Sequence, residues 1–105
     1  LTPLLNAPLL DRLAGRRIFV KAECLQWTGS FKYRGAWAAV SALDPDLRRR
    51  GVLAYSSGNH GQGVALAASQ HGVASVVLMP ADAPAMTSIT TRKSWVRLID
   101  FRISK

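Results

Sequence analysis

Val52-Leu53-Ala54-Tyr55-Ser56-Ser57-Gly58-Asn59-His60-Gly61-Gln62-Gly63 passes from a short apolar run, through small polar residues, into a segment of helical character. The pattern predicts a strand, a tight turn and a helix from Asn59 to about Gln70, closed by His71-Gly72. Val73-Ala74-Ser75-Val76-Val77-Leu78-Met79 follows as a nearly continuous apolar strand that stops at Pro80. Such runs suit a parallel sheet covered on both faces. A strand, a crossover helix and a second strand are the unit from which α/β folds are built.

Upstream, Pro8 to Leu13 reads as a short helix with Pro near its start and Gly15 just beyond. Arg17 to Ala22 reads as a strand and Cys24 to Gly29 as a loop. Ser30 is a good N-cap for a helix running to about Leu43. Phe31, Ala38, Ala39 and Ala42 recur near helical spacing and are expected to form its apolar face. Asp44-Pro45-Asp46 restarts a short helix that Gly51 ends. The order strand, helix, strand, helix, strand gives an α/β fold with right-handed crossovers. After Pro84 the pattern weakens. Met86 to Arg92 is expected to be helical, although Thr87-Ser88-Ile89-Thr90-Thr91 has poor helix propensity, and Trp95 to Phe101 is expected to be a strand.

The chain has 105 residues, 49% of them apolar and 19% charged. That is the composition of one small globular domain, not of a disordered segment. No apolar run is long enough to span a membrane. Leu1-Thr2-Pro3-Leu4-Leu5 lacks the layout of a secretory signal. The absence of a starting Met suggests a beginning inside a longer chain. Cys24 stands alone, so no internal disulfide forms; it is expected to be a small, partly buried filler, and a cytoplasmic setting is the default. The net charge of +8 is uneven: residues 85–105 carry five Lys/Arg against Asp100 alone. Such a bias can mark an anionic partner such as nucleic acid. Arg48-Arg49-Arg50, however, suits a solvated helix end, and no nucleic-acid partner is expected.

Two segments can carry chemistry. Lys32 falls in the first turn of its helix, where the dipole disfavours a cation. A helix start and an apolar setting both favour the neutral amine, the form needed for Schiff-base chemistry. A plain surface lysine is the other reading of this position. The second segment is Ser56 to Gly63. Unpaired N–H groups at a helix start favour an anion, Gly58 allows close approach, and Ser57 and Asn59 add short polar side chains. Gly58, Gly61 and Gly63 give G-x-x-G-x-G, which matches neither the dinucleotide fingerprint nor the nucleotide phosphate loop. A small carboxylate fits better, and a plain glycine-rich helix cap remains the alternative. His60 is expected to cap or line the loop and His71 to sit at a helix end; neither belongs to a metal cluster. Ser57 lacks a G-x-S-x-G frame.

Thr28-Gly29-Ser30-Phe31-Lys32-Tyr33-Arg34-Gly35-Ala36 and Ser56-Ser57-Gly58-Asn59-His60-Gly61-Gln62-Gly63 together resemble the fold type II pyridoxal-phosphate (PLP) enzymes, in the threonine/serine dehydratase and serine racemase branch. Phe31, Gly35 and His60 separate that branch from the cysteine synthases. The resemblance covers about Leu1 to Pro84. It implies a three-layer α/β fold of the tryptophan synthase β-like class, incomplete here, with a parallel sheet and flanking helices. Residues 1–50 would open the large PLP-binding domain, and 51–105 would start the small domain, atypical after 84.

The resemblance also implies roles. Lys32 would be the Schiff-base lysine, Phe31 would pack on the cofactor ring and Asn59 would bond its hydroxyl. Ser57, Gly58, Asn59 and His60 would take the substrate carboxylate, and Ser57 would relay a proton in racemase members. The implied activity is ammonia loss from a small β-hydroxy amino acid, with serine racemisation or hydroxyaspartate cleavage as family alternatives. Complete members are roughly three times longer than this small domain. Their phosphate-cupping loop lies downstream of the residues present, so the chain by itself is expected to be an inactive fragment. Full-length relatives are expected to be homo-oligomeric. A non-catalytic binding module that kept half the fold is the competing class.

Overall fold

Small residues set the architecture. The helix Asn59–Gln70 buries Gly61, Gly63, Ala65, Ala67 and Ala68, so neighbouring backbones come close on two sides. The computed structural model describes residues 1–81 and 96–101. In chain order the elements are β1 (Leu4–Asn6), α1 (Pro8–Ala14), β2 (Phe19–Lys21), 3-10 turns at Glu23–Leu25 and Trp27–Gly29, α2 (Lys32–Ser41), α3 (Pro45–Arg50), β3 (Val52–Tyr55), α4 (Asn59–Gln70), β4 (Ser75–Pro80) and β5 (Val96–Phe101). The expected helix over Met86 to Arg92 lies outside the described residues.

β3, β4 and β5 form a parallel sheet in that order, with Val52 opposite Ser75 and Ser75 opposite Val96. α4 is the crossover between β3 and β4, as expected from the sequence. β4 alternates: Ser75, Val77 and Met79 are buried and the residues between them are half-buried. On β3 only Ala54 is buried, while Leu53 and Tyr55 are exposed. Among the described residues, one face of these strands is packed and the other is partly covered.

The first strand departs from the expected order. β2 does not join the parallel sheet; it pairs antiparallel with β1, Leu5 opposite Val20. A polar knot holds this hairpin. The Asn6 amide donates to the Ile18 carbonyl at 2.8 Å and to the Asp11 carboxylate at 3.0 Å, and the Ile18 N–H donates to Asp11 at 2.7 Å. α1 ends at Gly15 in the left-handed conformation (φ 64°) and buries none of its residues.

Three further expectations are corrected. The buried face of α2 is Tyr33, Ala36 and Val40, while Phe31, Ala38, Ala39 and Ala42 are exposed. Alanines lie on several faces of this helix, so periodicity alone could not choose one; the approach of α4 does. Tyr33, Ala36 and Val40 pack with Ala67, Ala68 and Val73 into one core cluster, and Ala54, Ala65, Val77 and Met79 form a second. Arg48 is not simply solvated: it donates to the Ser41 carbonyl at 2.6 Å and the Leu43 carbonyl at 3.0 Å, satisfying the exposed end of α2. Asp44 caps α3 as its position predicts, accepting from Leu47 N at 2.8 Å. Cys24 is exposed and not a buried filler.

Candidate functional site

A reversal of the backbone delivers Lys32. Thr28 (φ 64°, ψ 12°) and Gly29 (φ 68°) are consecutive left-handed residues. The reversal is fastened by the Gly29 N–H to the Gln26 carbonyl at 2.8 Å and by the Gln26 side chain accepting from Trp27 N at 2.9 Å. Ser30 is then extended and buried, and its hydroxyl has no hydrogen-bond partner among the described residues. The N-cap position belongs to Phe31, which offers no side-chain bond to the helix. Ser30 is thus not the cap that its residue type suggests, because the reversal places it one residue too early.

Lys32 opens α2 with its side chain exposed. Its Nζ lies 4.8 Å from the centroid of the Phe31 ring, within cation–π range. Phe31, Lys32 and His60 line one groove of about 440 Å³ together with apolar side chains including Val40, Leu43 and Val64. That volume is within the range of small-molecule sites, and a mostly apolar wall with few polar groups is their usual make-up. Ser57, Gly58 and Asn59 precede or open α4 but do not line this groove. The Gly58 N–H is turned to the Ser56 hydroxyl at 3.2 Å. Of the residues singled out from the sequence, Phe31, Lys32 and His60 are therefore brought together, and the other three sit at the adjoining helix start.

The glycines divide the labour. A side chain at Gly58 would meet nothing within 4 Å. At Gly61 it would meet Val77 Cγ1 at 3.0 Å and the Ser56 carbonyl at 3.2 Å, and at Gly63 it would meet the Lys32 and Tyr33 main chain at 3.2 Å. Gly63 is thus what lets α4 lie against the backbone of Lys32 itself. A helix-interior glycine is unfavourable by about 1 kcal/mol relative to alanine; that is the one sequence signal which could have flagged its packing role.

Other contacts around α2 were not foreseen. The Tyr33 hydroxyl donates to the Gln70 side chain, and burial pushes the Tyr33 phenol above its ordinary range. His71 sits 3.0 Å from the Ser41 hydroxyl and packs on Trp37 with centroids 4.2 Å apart. Arg34 forks onto Glu23, with Nε–Oε2 at 2.6 Å and Nη2–Oε1 at 3.0 Å. The Arg34 guanidinium, then the Thr2 hydroxyl, hold the Glu23 carboxyl down at about 2. Arg34 is raised in turn, chiefly by its hydrogen bond to Glu23. No group of three His, Cys, Asp or Glu among the described residues could hold a metal ion, and no helix among them is long and apolar enough to cross a membrane.

The fold is α/β with a parallel three-stranded sheet, and Lys32 lines a groove between α2 and the start of α4. The family described as pyridoxal-phosphate dependent enzyme matches residues 1–98. An L-threo-3-hydroxyaspartate ammonia-lyase of Pseudomonas sp is 48% identical over 92 residues, 88% of this chain and 29% of that relative. An L-threonine ammonia-lyase of Thermotoga maritima is 43% identical over 98 residues, 93% of this chain and 24% of that relative. The crystal structure of serine racemase from Dictyostelium discoideum superimposes with a TM-score of 0.86 at 38% identity, covering 94% of this chain and 33% of that one. The chain belongs to the pyridoxal-phosphate-dependent enzyme family and has its fold type II architecture. It spans between 24% and 29% of the length of the two curated relatives.

Proposed function

We propose that this chain carries the lysine half of a PLP-dependent ammonia-lyase site for a small β-hydroxy amino acid. The observation that supports it most is the shared groove: an exposed lysine amine, an aromatic ring beside it and an imidazole, on an apolar wall. These residues fit an aldehyde cofactor with a flat ring. PLP, when bound, supplies an electron sink for bond breaking at the α-carbon. In this reading Lys32 Nζ would be the covalent anchor for the aldehyde, and its free amine would accept the proton of the substrate α-carbon as general base. Phe31 would pack against the ring and Asn59 would bond its hydroxyl. Ser57, Gly58, Asn59 and His60 receive the substrate carboxylate, using N–H groups at the start of α4. Loss of the β-hydroxyl and hydrolysis give a keto acid and ammonia.

Serine racemisation is the second reading, with Ser57 relaying a proton; the likeness to a serine racemase structure favours it. The division into a large-domain part (1–50) and a small-domain part (51–105), a homo-oligomeric full-length form and a cytoplasmic setting belong to the same proposal. The phosphate clamp and the walls that choose the amino acid would lie in the part of the relatives beyond the matched stretch.

The test is to incubate the chain with pyridoxal phosphate, reduce with borohydride and map the label by mass. Lys32 should take most of it, and Lys32→Ala should remove that share. A label spread evenly over Lys21, Lys32, Lys93 and Lys105 would overturn the reading.

A further inference from the structure

α2 starts without a side-chain cap, yet its first residue is the amine on which the proposed function depends. Something else must fix that turn. On one side it is the backbone contact at Gly63. On the other is a closed polar ring. Arg34, two residues after Lys32, bonds both oxygens of Glu23 and reaches the Thr2 hydroxyl at 3.0 Å, while that hydroxyl donates to Glu23 Oε1 at 2.5 Å. The Arg34 N–H also bonds back to the Phe31 carbonyl at 3.1 Å. Thr2 is buried. Its own carbonyl accepts from Lys21 Nζ at 2.9 Å, and the Ala22 N–H donates to Pro3 at 3.0 Å.

We propose that Thr2, Glu23 and Arg34 are positioning residues for Lys32: the ring ties the N-terminal strand and the Glu23 turn to the first turn of α2 and so fixes where the amine points. This rests on the reading of Lys32 as the reactive amine. Exposed ion pairs usually contribute little, because two flexible side chains must be held in one geometry. This one differs in being bidentate and in using a buried hydroxyl as its third member, which fixes orientation as well as distance. None of the three touches the groove, so their effect reaches the amine only through the helix start.

Glu23→Gln keeps the shape and removes the charge. In the intact chain it should speed amide exchange from Arg34 to Trp37 about threefold to fivefold and leave Ala65 to Ala68 unchanged. The share of borohydride-fixed pyridoxyl label at Lys32, relative to Lys93 and Lys105, should fall by a similar factor, and Glu23→Asp should recover part of it. If Glu23→Gln loosens α4 as well, Thr2→Val decides, since it removes one hydroxyl and no charge: a loss confined to Lys32 supports the proposal and a uniform loss overturns it. A wild-type preference for Lys32 that Glu23→Gln leaves intact sinks this proposal alone. A wild-type chain with no such preference sinks the reading of Lys32 and the positioning role together.

Discussion

The unit built from α2, β3, α4 and β4 and the unit built from β1, α1 and β2 are held by different physics. In the first, glycines and alanines let main chains meet, and the core residues Ala67, Ala68 and Val77 have no measurable exposure. In the second, every residue of both strands is exposed, and α1 buries none. Its order comes from hydrogen bonds: Asn6 and Asp11 within the hairpin, Thr2, Glu23 and Arg34 where it meets α2. Close packing resists changes of volume, whereas a polar knot resists changes of charge and partner. The same chain should therefore fail in two separable ways.

The largest effect is expected from Gly63→Val. Branched atoms would press on the Lys32 and Tyr33 main chain, which cannot rotate away as a side chain can. The packed unit should lose about 3 kcal/mol, measured by urea unfolding, while the hairpin bonds around Asp11 are untouched. A variant as stable as the wild type would show that α2 and α4 are not held by this contact.

Acid should produce an intermediate effect on the other unit. The Glu23 carboxyl is depressed to about 2 from an ordinary 4.5. Its stabilising contribution is complete above the unfolded-state value and is lost as pH falls from there through the folded value. Amide protection at β2 and the start of α2 should then decline between pH 4.5 and 2, ahead of α4. Simultaneous loss of both units on an acid titration followed by NMR would erase the distinction.

The smallest effect is expected from Leu13→Ser in α1. Leu13 is 77% exposed, so its replacement should change stability by less than about 0.5 kcal/mol. A loss above 2 kcal/mol in thermal unfolding would mean that the hairpin unit is packed after all.

What the sequence disclosed follows the same boundary. The β3–α4–β4 unit was readable because an apolar run, a small polar turn and a second apolar run each have one interpretation. The approach of Lys32 and His60 was readable through family likeness, since the two lie on elements that only tertiary packing brings together. β1 was not readable: its residues Leu4-Leu5-Asn6 do not alternate and are flanked by Pro3 and Pro8. The inward face of α2 stayed hidden because Ala36, Ala38, Ala39 and Ala42 look alike to a periodicity argument, and Gly63, on another helix, makes the choice. The Glu23–Arg34 fork joins residues 11 apart, on a turn and a helix, at a spacing that no local rule rewards.

The left-handed pair Thr28–Gly29 bears on how the groove could breathe. A β-branched residue has few torsional wells open to it on that side of the map, and leaving its own means breaking the bond from Gly29 to Gln26. This corner behaves as a stiff bracket and not as a pivot. Gly51 (φ 83°), which joins α3 to β3 on the far side, is hemmed in as well: a side chain there would meet the Ala74 carbonyl at 2.8 Å. Gly51→Ala is therefore expected to loosen the start of β3, read as faster amide exchange at Val52, whose N–H donates to that same Ala74 carbonyl at 2.9 Å.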